Sequence, residues 1–372
     1  TVRYDSFMSM LVGQPAAKEG DLPIFVYNPH PYPVDTVMNV EYQMPVSNWD
    51  KKFTISHLFD ENGNEILSQA EMPTSNLAID WRKNTCFVAH LNPAGITRFD
   101  CRFSRVDKQP RPTMQPADGY YTVVTDRMVV KINASTGLVD SYMVDGVEQV
   151  ENDAFCPLVI KDTADSWGMN STEFRQVVGR FSCMSQEDAD AYSGFVYNSM
   201  PAVRVVEEGP VRVVIEALME YHRSTAVLRY GIPKQGASFT VDLEVVWNEP
   251  THMLKLAVPL KEHSGQCVAQ AACGREEMPS TGRECVMQKW VAVCGQHQAL
   301  TVVNNGVYAF DYDQKELRLT LLRSPGYSVH PLDDREWRMD DHCHPHIDLG
   351  ERRFSLEVTA GDIKERMEVI ER

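Results

Sequence analysis

Apolar and polar residues alternate with a period of two along much of the chain. In the segment 239–247 (FTVDLEVVW), Asp242 and Glu244 point to one face, and the opposite face carries Val241, Leu243, Val245 and Trp247. The same alternation recurs in the segment 316–321, where three leucines share one face. The segment 211–221 is a longer apolar run with charged residues spaced through it. This period is typical of half-buried strands in antiparallel sheets.

Turn-forming residues separate these strands. Asn62 and Gly63 lie between 55–60 and 65–67, which predicts a hairpin. Similar turn signals recur at spacings of about 8–12 residues, which favours β-sandwiches over an α/β barrel. The predicted fold class is mainly β.

A proline-rich segment marks the best domain boundary. Residues 108–116 contain three prolines, which cannot lie inside a sheet and favour extended, exposed backbone. We therefore predict a small β-sandwich at 21–108 and a larger β region at 109–372. The segment 1–20 precedes them and has room for the end of a helix.

Two further segments interrupt the strand pattern. Residues 182–199 are polar and predict either a short helix or a long surface loop. Residues 262–283 are rich in Gly, Ser, Cys and Ala, which predicts a long excursion between strands.

The charge balance excludes two classes of partner. The chain of 372 residues has 36 Lys and Arg against 52 Asp and Glu, a formal net charge of -16. Nucleic acid is held by clustered basic residues, and anionic membrane surfaces attract them too. No segment approaches the roughly 20 apolar residues of a membrane-spanning helix. We therefore expect neither nucleic acid nor membrane as a partner.

The cysteines and the first residue bear on location and completeness. Nine cysteines are scattered without short paired spacings, which predicts free thiols in a reducing compartment. No leader pattern follows Thr1, so we expect a cytoplasmic protein. Because the chain starts at Thr1 instead of Met, we also expect it to be a piece of a longer protein.

The densest group of potential metal ligands lies in 340–348 (DDHCHPHID). Imidazole, thiol and carboxylate groups suit zinc, and His342, His344 and His346 alternate so that one strand would direct them to one side. However, Pro345 interrupts a regular strand. The alternative is a polar loop that leads into the strand at 353–358.

Sequence motifs of catalysis are otherwise scarce. There is no Gly-x-Ser-x-Gly, His-Glu-x-x-His, Gly-x-Gly-x-x-Gly or phosphate-loop motif, and 52 acidic residues are too many to select a glycosidase pair. Trp247 belongs to an apolar stripe and is expected in the core. Trp167 lies in the polar loop 162–170, where it and Asp165 either face a substrate or simply pack the loop.

Several stretches, taken in order from about 22 to 358, resemble the C-terminal β region of bacterial-type glycoside hydrolase family 38 α-mannosidases. The matching stretches are 24–33 (IFVYNPHPYP), 129–132 with 135–141, 162–168 (DTADSWG), 211–221, 245–249 with 253–256, 288–291, 305–308 with 321–325, and 348–354. The most specific match is 211–221 followed by 245–249 with 253–256.

The resemblance implies a small β-sandwich followed by a large antiparallel supersandwich of the galactose-mutarotase type. It also implies a parent protein that is a retaining, zinc-dependent α-mannosidase whose N-terminal barrel holds the zinc and the nucleophile. His346 and Asp348 spell the family's His-x-Asp motif but lie in the last β region, so the zinc role is not carried to them. We expect no catalytic residue and no cofactor in this chain, and no mannosidase activity from it alone.

The expected role is to support the catalytic barrel and to line the rim of its cleft. Candidate rim residues are Asp165, Trp167, Arg323 and Tyr327, on the loops 162–170 and 323–330. The expected partners are the protein's own N-terminal catalytic domain, a mannose-containing carbohydrate and a further copy of the chain in a homo-oligomer. The alternatives are a stand-alone carbohydrate-binding module and a mutarotase- or epimerase-like sugar enzyme.

Overall fold

A computed structural model describes residues 4–74, 80–162, 165–168, 171, 173–194, 199–327, 343–364 and 366. The chain divides into two compact units. The first comprises Thr1–Thr113 and Glu207–Val213, and the second comprises Met114–Val206 and Val214–Arg372. No sequence pattern predicted that Glu207–Val213 would belong to the first unit.

The first unit is a pair of antiparallel sheets. Its described elements are α1 (Tyr4–Leu11), β1 (Leu22–Asn28), β2 (Val34–Asn48), β3 (Phe53–Phe59), β4 (Glu65–Ile66), β5 (Ser68–Glu71), β6 (Asp80–Leu91) and β7 (Gly95–Val106). One sheet has the order β1-β7-β3-β4 and the other β2-β6-β5. Leu58, Phe87 and Phe99 are buried in one core, and the two phenylalanine rings meet edge to face at 5.1 Å.

The second unit is built from strands almost throughout. Its described elements are β8 (Tyr120–Val124), β9 (Met128–Asn133), β10 (Val139–Val144), β11 (Val147–Glu148), β12 (Cys156–Lys161), β13 (Val177–Arg180), β14 (Ser182–Cys183), α2 (Gln186–Ser193), β15 (Val203–Glu208), β16 (Arg212–Tyr221), β17 (Ser224–Pro233), β18 (Ser238–Trp247), β19 (His252–Pro259), β20 (Gln266–Ala271), β21 (Gly274–Glu277), β22 (Glu284–Val286), β23 (Trp290–Cys294), β24 (Gln298–Asn304), β25 (Ala309–Tyr312), β26 (Glu316–Arg323) and β27 (Gly350–Asp362).

Three sheets share these strands. The largest has the order β14-β16-β17-β18-β27-β24-β23-β20-β21, with β15 paired to β16, and a second has the order β13-β12-β19-β26-β25-β22. A smaller sheet, β11-β10-β9-β8, accompanies them. The long pairing of β18 with β27 runs from Ser238↔Thr359 to Trp247↔Gly350. Trp247 is fully buried, as the alternation of its strand predicts. The fold is thus mainly antiparallel β, which confirms the predicted class.

Local sequence patterns predicted the structure correctly where a turn or a helix cap fixes the backbone. β3 and β4 pair across the Asn62–Gly63 turn, in which Gly63 has φ 82° and Asp60 Oδ1 accepts two backbone N–H groups. In 182–199 the short-helix alternative is correct: α2 starts after Ser185, whose side chain accepts from the backbone N of Asp188.

One local expectation was wrong. The segment 262–283 is no simple excursion, because it contains the antiparallel hairpin of β20 and β21. β20 alternates only weakly between buried and exposed positions, and all of β21 is exposed. The hairpin therefore shows little of the apolar pattern that predicts strands.

All nine cysteines are free, and five of them are buried. Burial raises the pKa of the Cys86 and Cys156 thiols to about 12, so both remain protonated and unreactive at neutral pH. Within the described part of the chain, no helix has the length and apolar character needed to cross a bilayer.

Charged groups hold the segment Glu207–Val213 in the first unit. The Arg212 guanidinium makes a two-pronged contact with the Glu71 carboxylate, with N–O distances of 2.7 and 2.6 Å. Gln69 Oε1 accepts the backbone N–H of Arg212 at 3.0 Å. A Cβ on Gly209 would meet the Gln69 side chain at 2.4 Å, so glycine is needed for this approach.

Glu207, in the same segment, makes stability depend on pH. Burial raises its pKa to about 7, although the backbone N–H of Met72 donates to its carboxylate. The folded protein keeps this proton to a higher pH than the unfolded chain does. The free energy of unfolding therefore falls between the ordinary pKa of 4.5 and about pH 7.

We expect Glu207→Gln to be more stable than the parent above pH 7 by about 1–3 kcal/mol, with the difference vanishing near pH 4.5. Glutamine can still accept the Met72 N–H but carries no charge to bury. Urea unfolding at several pH values measures this difference, with the exposed Glu351→Gln as the control. A constant difference across the pH range would contradict the assignment.

Candidate functional site

Loops from three neighbouring strands meet at one end of the β13-β12-β19-β26-β25-β22 sheet. Antiparallel pairing places the end of β12, the start of β19 and the end of β26 side by side. The backbone N of Asp162 donates to Thr251 O at 3.3 Å, and the backbone N of Thr251 donates to Ser324 O at 2.7 Å. We call this region the loop end of the second unit.

Arg323 is the centre of the loop end. Its Nε lies 2.8 and 3.0 Å from the two carboxylate oxygens of Asp162, whose side chain is fully buried. Its Nη2 donates to the backbone oxygen of Asp165 at 2.6 Å. A planar guanidinium presents these donors in one rigid arrangement, which a single ammonium group does not reproduce. Arg323 therefore joins the end of β26 to the loop that follows β12.

Asp165 shapes the turn that presents Trp167. Its carboxylate accepts the backbone N–H of Trp167 at 3.1 Å, and its backbone oxygen accepts that of Gly168 at 3.2 Å. Gly168 has φ 67°, a conformation that favours glycine. Asp165 is 3 % exposed and Trp167 66 % exposed. Asp165 is thus a supporting residue, and Trp167 offers the accessible aromatic surface.

Phe174 and Arg175 connect the loop end to the interior of the sheet. The Arg323 guanidinium carbon lies 4.9 Å from the centroid of the buried Phe174 ring. The adjacent Arg175 is paired with Asp311 and, at 2.5 Å, with Asp313. The packing under Arg323 is therefore anchored on β25.

Asp311 in turn belongs to a buried group of charges. Lys255 Nζ lies 2.5 Å from Asp311 and 2.6 Å from Glu284, and the side chains of Lys255 and Asp311 are both inaccessible to solvent. Burial raises the pKa of Asp311, whereas the charges of Lys255 and Arg175 lower it. We call Lys255, Glu284, Asp311 and Arg175 the buried ion cluster.

A glycine gives Arg175 its space. Gly282 has φ 81°, and a Cβ there would meet Arg175 Cδ at 2.7 Å. The backbone N of Gly282 donates to Tyr312 O at 2.8 Å, which fixes this turn beside β25. The glycine-containing segment 262–283 thus helps to seat the arginine.

Tyr327 lies beside the histidine-containing segment. Its backbone N donates to Pro345 O at 2.9 Å, and Gly326 forms an isolated bridge with His346. Its side chain is 66 % exposed. The structure therefore brings Arg323, Tyr327 and the segment from 343 onward into one region, although Pro345 was expected to interrupt regular pairing.

His342, His344 and His346 were the candidate metal ligands of the sequence. His342 lies outside the described residues, while His346 Nδ1 is 3.2 Å from the backbone oxygen of His344. In the ranges that the structure describes, no group of three His, Cys, Asp or Glu side chains is arranged to hold a metal ion. The described residues therefore do not present a set of side chains that would hold zinc.

Sequence reasoning missed a carboxylate at the same end. Glu249 follows β18 and is 8 % exposed. Its Oε1 accepts from Arg223 N at 3.1 Å and from Ser224 Oγ at 2.9 Å, and its Oε2 lies 3.9 Å from His222 Nδ1. His222 stacks on Tyr221 at 4.0 Å. The available signal was the position of these polar residues at strand ends.

Part of the chain matches a known family of proteins. The model of the glycosyl hydrolases family 38 C-terminal domain matches residues 125–341, more than half of the chain. The chain belongs to this family. No curated protein matches the sequence. The family 38 match includes Asp165, Trp167, Arg323 and Tyr327 and most of the second unit.

Solved structures agree with the family 38 assignment at the level of fold. An α-mannosidase from Enterococcus faecalis V583 has a TM-score of 0.64 at 13 % identity, over 95 % of this chain and 45 % of its own. A family 38 protein from Enterococcus faecalis has a TM-score of 0.66 at 11 % identity, over 95 % and 46 %. A galactose mutarotase-like protein from Lactobacillus casei is a weaker match, with a TM-score of 0.38 at 10 % identity, over 65 % and 100 %. The chain spans less than half the length of the two Enterococcus proteins.

We expect Arg323→Lys to lower the free energy of unfolding by about 1–3 kcal/mol, because lysine lacks the planar set of donors that contacts both Asp162 and the Asp165 backbone. Urea denaturation gives the value. Arg353→Lys is the matched control, since Arg353 is exposed and pairs with Glu244 and Glu351 at the surface. Its effect should stay within about 0.5 kcal/mol. Equal losses in the two variants would contradict the central role of Arg323.

Proposed function

We propose that this chain is the accessory C-terminal β region of a retaining, zinc-dependent α-mannosidase. Its loop end lines the rim of the catalytic cleft and contacts mannose-containing carbohydrate. The observation that carries the proposal is the family 38 match over residues 125–341, which includes the loop that presents Trp167.

The chemistry of the loop end suits a carbohydrate. Sugar-binding surfaces combine aromatic faces, which cover the C–H face of a pyranose, with a few fixed polar groups that accept or donate to hydroxyls. Trp167 and Tyr327 are exposed aromatic side chains. Glu249 has one carboxylate oxygen held by Arg223 and Ser224, which orients the other oxygen.

The loop end itself is an unsuitable place for glycoside hydrolysis. Arg323, Asp162 and Asp165 are engaged with one another, so they support the surface and leave recognition to their neighbours. In the proposal, the nucleophile and the zinc belong to an N-terminal catalytic domain, against which this chain packs. A cytoplasmic location and a homo-oligomer are further parts of the proposal.

Binding of a mannoside to the purified chain tests the proposal. Titration calorimetry with an α-linked mannobiose should show weak binding that Trp167→Ala reduces by about tenfold, because the stacking surface is removed. Trp49→Ala is the matched control, since Trp49 is also exposed, at 77 %, but lies in the first unit. Equal effects of the two substitutions would contradict the assignment of the loop end.

The same preparation decides between an accessory role and an enzyme. The purified chain should not hydrolyse an aryl α-mannoside with or without added zinc, because in the proposal the nucleophile and the zinc belong to the N-terminal catalytic domain. Zinc-dependent turnover would overturn the accessory role. Tight mannoside binding, unaffected by a separately produced catalytic domain, would favour the stand-alone binding module.

A further inference from the structure

A hydrogen-bonded chain of serine, histidine and glutamate lies on the first unit, independent of the proposed function. Ser104 Oγ is 2.8 Å from His57 Nε2, and His57 Nδ1 is 2.8 Å from Glu65 Oε1. The three residues come from β7, β3 and β4, which are neighbours in one sheet. Their exposed arrangement makes no contribution to the core.

The direction of these hydrogen bonds follows from the acceptor at one end. An ionised carboxylate only accepts, so Glu65 fixes the proton of a neutral His57 on Nδ1. Nε2 then carries a lone pair and accepts the Ser104 hydroxyl proton. This is the nucleophile, base and orienting-acid sequence of the serine hydrolases, recognised by geometry and not by position in the chain.

An open pocket adjoins His57 and Glu65, two of these three residues. It has a volume of about 540 Å³, and its lining also includes Ile66, Leu67 and Glu208. The volume lies in the range of small-molecule sites. Its wall combines apolar and polar groups, and the carboxylates of Glu65 and Glu208 disfavour an anionic ligand. A small, uncharged molecule is therefore the best fit.

We propose that Ser104, His57 and Glu65 form an esterase site for small, uncharged carboxylic esters. Ser104 Oγ attacks the ester carbonyl as its proton passes to His57 Nε2. The bond to the alcohol oxygen breaks, and the leaving alcohol takes that proton. Water, deprotonated by His57, then cleaves the acyl-serine and releases a carboxylic acid and free Ser104.

Hydrolysis of p-nitrophenyl acetate by the whole chain tests the proposal. Ser104→Ala and His57→Gln should each lower the rate by at least about 10²-fold, the usual contribution of a positioned base. Glu65→Gln should lower it less, because the imidazole loses its orienting acceptor but keeps its place. Mass spectrometry of rapidly quenched protein should find the acetyl group on Ser104.

Two controls separate a built site from general surface reactivity. His90→Gln removes an exposed histidine paired with Asp35 at 2.6 Å, and Ser355→Ala removes an exposed serine hydroxyl 2.6 Å from an Asp242 oxygen. Both should hydrolyse the ester at the parent rate. A rate lowered equally by His90→Gln would overturn the proposal.

A fluorophosphonate probe gives a second measurement that does not depend on how well a variant folds. It reacts with serines activated by a neighbouring base, and the site of reaction is read from the peptide masses of the parent protein. Modification at Ser104 supports the proposal. Recovery of the Ser104 peptide entirely unmodified would overturn it.

Discussion

The fully buried ion pair of Lys255 and Asp311 is the constraint on which the loop end depends. Two charges removed from water are costly unless each is paired and hydrogen-bonded, and breaking such a pair typically costs about 3–5 kcal/mol. Here the carboxylate of Asp311 is shared between Lys255 and Arg175, while Glu284 accepts a further hydrogen bond from Lys255. The position of Arg175 is therefore set by the interior of the sheet.

Arg175 is linked to the exposed Trp167 turn through a series of different contacts. The neighbouring Phe174 packs beneath the Arg323 guanidinium, and Arg323 holds Asp162 and the backbone of Asp165. Asp165 then organises the turn that exposes Trp167. A large aromatic side chain on a polar loop would ordinarily sample many positions. The contacts that run from Asp165 back to the buried ion cluster fix the backbone turn that carries Trp167. Under the proposed function, this pre-organisation reduces the entropy lost on association.

The two units make different uses of charge. In the first unit, Arg212 and Glu71 fasten a returning segment, and Glu207 is buried at a cost that grows as it ionises. In the second, Lys255, Glu284 and Asp311 of the buried ion cluster are distant in sequence from Trp167 but are linked to the loop end through Arg175. Neither arrangement needs a bound metal to satisfy it, since each charge finds protein partners.

Much of the fold could be predicted from the sequence because strands and turns are encoded locally. The alternation before Trp247 and the Asn62–Gly63 turn involve neighbouring residues only. By contrast, the contact of Arg323 with Asp162 joins positions 161 apart, and no local pattern specifies the strand order that creates it.

The same limitation explains which parts of the candidate site were missed. Asp165 and Trp167 were selected as candidates from the polar loop 162–170, and Arg323 and Tyr327 were selected through the resemblance. Glu249 and the ion cluster, by contrast, depend on register between strands. The short, polar sequence of β21, which is exposed at every position, gave no pattern that predicts a hairpin. A buried lysine such as Lys255 is invisible to hydropathy, since its burial is made possible by partners from β22 and β25.

The most direct test is hydrogen exchange at the Gly168 amide, which donates to Asp165 O within the turn beside Trp167. Asp311→Asn removes the buried charge that anchors Arg175, and Asp313→Asn is the matched control because its carboxylate contacts the same arginine but is 33 % exposed. The account predicts faster exchange at Gly168 in Asp311→Asn and near-parent exchange in Asp313→Asn, with both proteins folded. Unchanged exchange in folded Asp311→Asn would contradict it.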